Sequence, residues 1–404
     1  MKRWQKALLI TVVLLLISQI PFAYRRFKLG KLHAAILTVQ SQRQPTPDRE
    51  ALQEFRGVVH VHSFLGGHSS GTFQEIIAAA NSNQLNFVLM TEHPAREFST
   101  AEMTLKGEHG GVLFINGNEV SASNGDRLLL FPGEAQAASD NPQSTQEILS
   151  QRSTGISFVA YPEDFKSWDA HGFNGVEVYN LYTDARKINA LKMFFDGLWS
   201  YNSYPDLLFA TFYQRPAANL KSWDEVSKSK NLKLVAIAGN DAHANVGVAL
   251  TDSSGNTLLG LKLDPYERSF RIVRLHVLAA PLHGATLNEA TLLDAISSGH
   301  CFIGFDVFGD SSGFRFTATT GREVKQMGDE ITLVDRVQMN AKVPVPARIV
   351  LLKDGVIIED KAGFRELEYL VTEKGTYRVE VYLPQLPAPV SGQPWIISNP
   401  IYVR

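Results

Sequence analysis

Up to about residue 306 the chain alternates short apolar runs with longer segments of helical periodicity, and after that it reads as closely spaced strands. Residues 58–63 carry the β-branched Val58, Val59 and Val61 and predict a short buried strand. Thr72 and Glu75 have capping-box spacing, Ile76, Ile77 and Ala80 supply the apolar side of the helix they open, and residues 87–90 predict the next strand. Further strands are expected at 111–120, 155–160, 175–179, 232–238 and 271–278. Helices are expected at 183–195, where Ile188, Leu191 and Phe195 share a face, and from a cap at Thr286 with Glu289 to residue 298. Strands separated by helices predict a parallel α/β core whose functional face lies at the strand C-termini. The tail carries strand patterns at 314–318, 331–339, 349–353, 356–359, 377–382 and 395–403, with Asp354-Gly355 as a hairpin turn, and predicts an all-β, sandwich-like region.

The N-terminus stands apart from this pattern. Residues 7–23 form an apolar run preceded by Lys2, Arg3 and Lys6 and followed by Arg25, Arg26, Lys28 and Lys31. This is the pattern of a signal anchor, or of a signal peptide cleaved near Ala23. The compact basic start predicts a catalytic part outside the cytoplasm, membrane-anchored or, after cleavage, secreted or periplasmic; the other reading is a cytoplasmic domain tethered by its N-terminus. The expected division is 1–27 for this segment, 28–54 for a linker, 55–306 for the α/β part and 307–404 for the β-rich part.

Composition narrows the chemistry. With 39 Lys and Arg against 41 Asp and Glu among 404 residues, the net charge of −2 offers no footprint for nucleic acid. Cys301 is the sole cysteine, which excludes an internal disulfide and a cysteine-built zinc site, so any metal must be held by His, Asp and Glu. Those residues fall at expected strand ends. His60 and His62, two apart on a strand, point to one face; His93 closes the second strand, Glu119 the third, and Asp241 and His243 follow 232–238 with the same spacing of two. A polar glycine-rich loop carries His68, and Arg96 follows the His93 turn, where it can bind a phosphoryl group or stand as a solvated surface residue. Each motif alone has a bland explanation as strand-edge polarity; the coincidence of all of them at strand C-termini does not.

On His60-Val61-His62, Thr91-Glu92-His93, Glu119 and Asp241-Ala242-His243 the chain resembles the PHP (polymerase and histidinol phosphatase) family of metal-dependent phosphoesterases, over about residues 57–306. The WIISNPIYV run and β-rich tail look like its exported CehA/McbA-type metallohydrolase branch. The resemblance implies a distorted (β/α)7 barrel and divalent zinc, manganese or iron ions. His60, His62, Glu119 and Asp241 would hold one ion, and His68, His93 and His243 another. It departs where the family has Ala-His-Pro and this chain has Ala160-Tyr161-Pro162; His171 is a remote substitute, and two ions are expected rather than three. The implied activity is hydrolysis of a small-molecule phosphoester by a metal-activated hydroxide, with Asp241, His243, Glu119 and Arg96 carrying the reaction. The alternatives are a degenerate scaffold that binds without turnover and a carbamate or amide hydrolase.

Overall fold

The computed structural model describes residues 2–44, 52–134, 141, 143–186, 189–245, 247–251, 257–262, 264–280, 286–321, 323–333 and 336–404. The strands that build and support the site are β1 (Gln53–Val61), β2 (Phe87–Met90), β3 (Val112–Ile115), β4 (Asn118–Ser121), β5 (Arg127–Phe131), β6 (Ile156–Ala160), β7 (Gly175–Asn180), β8 (Val235–Gly239), β9 (Arg274–Ala279) and β10 (Cys301–Gly304). They divide between two sheets. In one, β1, β2 and β3 are parallel neighbours, and β9 and β10 continue antiparallel from the other edge of β1. The second runs in the order β4-β5-β6-β7-β8, antiparallel as far as β6 and parallel beyond it.

The expected (β/α)7 barrel does not close: among the described residues the two sheets are joined by no continuous strand pairing, only by the single β-bridges of Val61 with Ala242 and Glu92 with Asn118. Two local features explain this. The apolar run 111–120 breaks at Asn116-Gly117, so its halves, β3 and β4, enter different sheets. A Cβ on Gly117 would lie 2.2 Å from the Met90 carbonyl oxygen and 2.6 Å from the Phe131 ring, so only glycine passes at this crossing. β5, which the sequence reading did not foresee, then inserts antiparallel between β4 and β6 where a parallel barrel needs a crossover.

The C-terminal region is all-β, but it is joined to the first sheet: β10 pairs with Pro394–Ser398, which pairs with Gly375–Tyr382 and through it with Val337–Lys353. One apolar core consequently runs from Val59 and Phe87 through Phe158 and Val176 to Val379 and Ile396. A smaller cluster, with Val58, Val61, Val88, Met90 and Phe114, lies under the helix Phe73–Ser82, whose Thr72–Glu75 capping box is formed as expected.

Three local expectations change. The supposed linker from residue 28 is helical through Ser41, as the end of a single helix α1 (Arg3–Ser41). Leu29, Leu32 and Val39 recur on one face and are buried against the core, so this stretch is an amphipathic docking helix. The helix expected at 183–195 is two, Leu181–Arg186 and Ala190–Ser200, the second capped by Asn189 on the Lys192 amide. The helix Glu289–Ser297 is capped by Asn288 rather than Thr286, through the Thr291 amide. Residues 45–51 of the expected lead-in, Ile188, and residues 334 and 335 of the expected strand 331–339 lie outside the described residues.

A buried ion network fastens β1 to β9 and to the segment after β10. His276 on β9 meets Glu54 through Nδ1 at 2.8 Å and Asp306 through Nε2 at 3.2 Å, while Arg315 reaches Glu54 at 2.6 Å. Burial opposes the imidazolium, but Asp306 and Glu54 outweigh it and push the pKa from about 6.5 up to about 9. A pKa raised in the folded state means stabilisation that is fully present below about pH 6.5 and lost as pH rises through about 9. Urea unfolding should therefore show stability falling from pH 7 to 9.5, by at most about 3 kcal/mol. His276→Gln should flatten that slope, and an unchanged slope in the variant would acquit His276.

Candidate metal centre

Ordinary strand alternation would put His60 on the side of Val58, and Val61 on the side of Val59. Instead Val58 and Val61 share the cluster under the helix. The pairing with β2 passes from Val59–Leu89 to Val61–Met90, leaving His60 as an extra residue with φ 67°. This bulge turns the His60 ring toward the space between the sheets. His60 and His62 converge, but by a reset of the strand rather than by its regular period. Asp241 is likewise left-handed, with φ 47°, because β8 ends at Gly239 and residues 240–242 turn to bond with β1. The bonds run from Asn240 N to Val59 O (2.9 Å), Ala242 N to His60 O (3.1 Å) and His62 N to Ala242 O (3.0 Å).

The two bridges thus deliver histidines and carboxylates from both sheets to one place. Ligand-type atoms of His60, His62, Glu119 and Asp241 all lie within 4.8 Å of one another, and so do those of His62, His93 and His243. Glu119 Oε2 is 3.1 Å from His60 Nε2, 3.4 Å from His62 Nε2 and 3.6 Å from His93 Nε2. Asp241 Oδ1 is 3.4 Å from His62 Nε2 and 3.5 Å from His60 Nε2. His62 is stacked between the rings of His93 and His243, at centroid distances of 4.7 and 4.3 Å.

Hydrogen bonds behind these groups orient them. Glu177 accepts from His60 Nδ1 at 2.6 Å, and the Asp241 carbonyl from His243 Nδ1 at 2.9 Å, so both rings present Nε2 to the centre. Asp241 Oδ2 accepts from the Tyr161 hydroxyl at 2.7 Å and from Asn180 at 3.2 Å, while Arg127 holds Glu119 Oε1 at 2.7 Å. Each carboxylate therefore has one oxygen committed to protein donors and the other facing the imidazoles. Glu92 faces away: both its oxygens accept the Ser63 amide and one accepts Thr104, which fixes the turn after His62.

Electrostatics follow from this packing. Burial opposes the charged forms of His60 and His62, yet the facing carboxylates raise both pKa values, and the imidazoles hold Glu119 well below the usual carboxylate range. His93 and His243 are held down at about 4, first by burial and then by His62, so at neutral pH each has a free lone pair. Burial and then Asp241 push the Tyr161 phenol far up, which keeps it a neutral donor.

Whether a cation suits these residues is decided by what they leave unpaired. His62 is 1% exposed and neither ring nitrogen has a hydrogen-bond partner; Asp241 Oδ1 also lacks one. Unpartnered buried polar atoms are costly, and these point at one another across a few ångströms. A divalent ion coordinated there removes that cost, and the imidazole–carboxylate donor set suits zinc, manganese or iron.

Not every anticipated residue joins this cluster. His68 is exposed, with its ring edge-on to His93 at 4.9 Å, and His62 rather than His68 completes the three-imidazole group. Arg96 is exposed and outside the cavity lining, whereas Arg127 from β5 is on its wall, with its guanidinium over the Tyr161 ring at 5.4 Å. His171 is exposed on the loop beside Gln146, remote from the cluster. The sequence reading passed over Arg127, Glu177 and Asn180. Glu177 left one signal, a lone carboxylate between Val176 and Val178 in an otherwise apolar strand. The cavity of about 790 Å³ that opens onto the cluster is lined by His93, Glu119, Asp241 and His243 together with Arg127 and Tyr182 among others.

Fold and site together define an α/β protein in which the two larger sheets bring together a buried His/Glu/Asp cluster of metal-binding type. No protein-family model matches the chain, and no curated protein matches its sequence. Among solved structures it is similar to a two-domain protein containing a predicted PHP-like metal-dependent phosphoesterase from Bacteroides vulgatus ATCC 8482, at 12% identity and a TM-score of 0.40 over 88% of this chain and 98% of that one. It is also similar to PsfC from Pseudomonas syringae PB-5123, at 14% identity and a TM-score of 0.33 over 61% and 88% of the respective chains. What this site can do is set by its own residues.

Removing the group that orients His60 should loosen metal without touching a ligand. Glu177→Gln is expected to weaken zinc binding on the order of 10–100-fold in a competitive chelator titration, with the circular dichroism spectrum retained. Unchanged affinity would mean that Glu177 only fills space.

Proposed function

We propose that this protein is a metal-dependent hydrolase of small-molecule phosphoesters that uses two divalent ions, zinc, manganese or iron. The observation that carries the reading is the set of unpartnered buried atoms, His62 Nε2 and Asp241 Oδ1, beside Glu119 Oε2. The sequence resemblance to the PHP family supplies the reaction class. One ion would be held by His60, His62, Glu119 and Asp241. The second would be held by His93 and His243 and completed by His68, because a neutral imidazole has one lone pair and His62 Nε2 belongs to the first set. Bound there, the ions would supply Lewis acidity toward phosphoryl oxygens and a lowered pKa for water.

The chain's own residues do the rest. Glu177 and the Asp241 carbonyl hold the His60 and His243 rings with Nε2 inward; Tyr161 and Asn180 keep Asp241 Oδ1 turned to the imidazoles. Arg127, whose side chain is 43% exposed on the cavity wall, binds and orients an anionic substrate oxygen in the role expected of Arg96. The N-terminal helix, long and apolar enough to cross a membrane, anchors a catalytic part that faces outside the cytoplasm.

Elemental analysis of the full chain with bis(p-nitrophenyl) phosphate hydrolysis under zinc, manganese and iron tests this reading. About two ions and metal-dependent turnover are expected, and Asp241→Ala or His60→Ala should abolish turnover and lower the bound metal with the fold retained. Unchanged turnover in those variants would reject the ligand set; tight metal with cleavage only of carbamates or amides would reject the substrate class; absence of bound metal would leave a degenerate scaffold. Arg127→Ala should raise KM by about tenfold with metal content preserved, whereas an unaltered KM would remove it from substrate binding.

A further inference from the structure

The helix Ala190–Ser200 packs one side on α1 and leaves the other bare. Phe195 meets Phe22 at a ring distance of 4.9 Å, the buried Asp196 pairs with Arg25 at 2.5 Å, and Trp199 donates from Nε1 to Gln19 at 3.1 Å while its carbonyl accepts from Arg26 at 2.5 Å. On the opposite side Leu191, Phe194 and Leu198 are 69%, 55% and 66% exposed. Their spacing of three and four makes one continuous stripe, with the half-exposed Trp199 at its end.

The level at which this stripe sits identifies what covers it. Its contacts with α1 fall between Gln19 and Arg26, where the apolar run ends and the basic residues begin. In a helix that crosses a bilayer this boundary lies at the headgroups. Tyr24 is exposed at the same level, and Lys28 and Lys31 lie over the rings of Tyr24 and Phe27, a cationic and aromatic rim suited to anionic lipid. The charge that would resist immersion is already neutralised, because Asp196 is bonded to Arg25 and approached by Lys192 at 3.5 Å.

We propose that the helix Ala190–Ser200 is an interfacial helix, its Leu191–Phe194–Leu198 stripe immersed in the lipid surface beside α1. This rests on the reading of α1 as a membrane segment and adds a second membrane element. An amphipathic helix docked on a span lies in the plane of the interface with its apolar side toward the acyl chains. The stripe begins nine residues after Tyr182 on the cavity wall, and with α1 it would hold the folded part to the bilayer at two points.

Spin labelling of the full chain in phosphatidylcholine–phosphatidylglycerol vesicles tests it. Cys301 is fully buried with its thiol pushed up to about 12, so introduced cysteines label selectively. Labels at Leu198→Cys and Leu15→Cys should be several-fold more accessible to oxygen, and less to a water-soluble nickel chelate, than a label at Val356→Cys. A Leu198 label as open to nickel as Val356 would put the helix in water, and one shielded from both reagents would show a protein cover such as a second copy; either overturns the proposal. A Leu15 label in water would instead remove the span itself, and the interfacial helix with it.

Discussion

One imidazole bears the strain of the whole arrangement. His60 is fully buried and lies within 3.5 Å of three carboxylates, Glu119, Glu177 and Asp241, none more than 2% exposed. Withdrawing such charges from water costs several kcal/mol each unless partners replace the solvent. The surroundings can be read as that replacement: Arg127 on Glu119, Tyr161 on Asp241, and Asn180 shared between Asp241 and Glu177. What they leave unmatched is the inner face of the cluster, which is why its chemistry points to a cation.

This concentration of ligands requires an unusual backbone. His60, Tyr161 and Asp241 are all left-handed non-glycine residues at or just beyond strand C-termini, a conformation that surrounding contacts must hold in place. Gly239 shows how closely the parts are fitted, since a Cβ there would lie 1.8 Å from Glu177 Oε1. The bridges at Val61 and Glu92 that join the two sheets also assemble the site. Closing a full barrel is unnecessary when the rim is stitched at both sides.

The same economy appears in α1. Its first half is apolar all round and unburied, while its second half repeats apolar residues on a single face and docks on the core through Leu29, Leu32 and Val39. One uninterrupted helix thus changes character along its length, and the change in periodicity marks where it meets the folded part.

Much of the local order was legible in the residues themselves. Apolar runs announced the strands that end near His60, His93 and Asp241, and Thr72–Glu75 announced a helix start, because side-chain shape, period and capping act over a few residues. Pairing between sheets does not. The split of 111–120 at Gly117, the insertion of β5 and the open barrel depend on which strand finds which neighbour. His60 finds Glu177 from 117 positions away. The stacking of His62 between His93 and His243, the presence of Arg127 on the cavity wall, and Tyr161 as a donor to Asp241 are likewise outcomes of long-range packing. The sequence by itself determined which ligand chemistries the chain owns and that they stand at strand ends; only the tertiary structure decided which of them meet, because burial and hydrogen bonding are settled between segments that no local pattern connects.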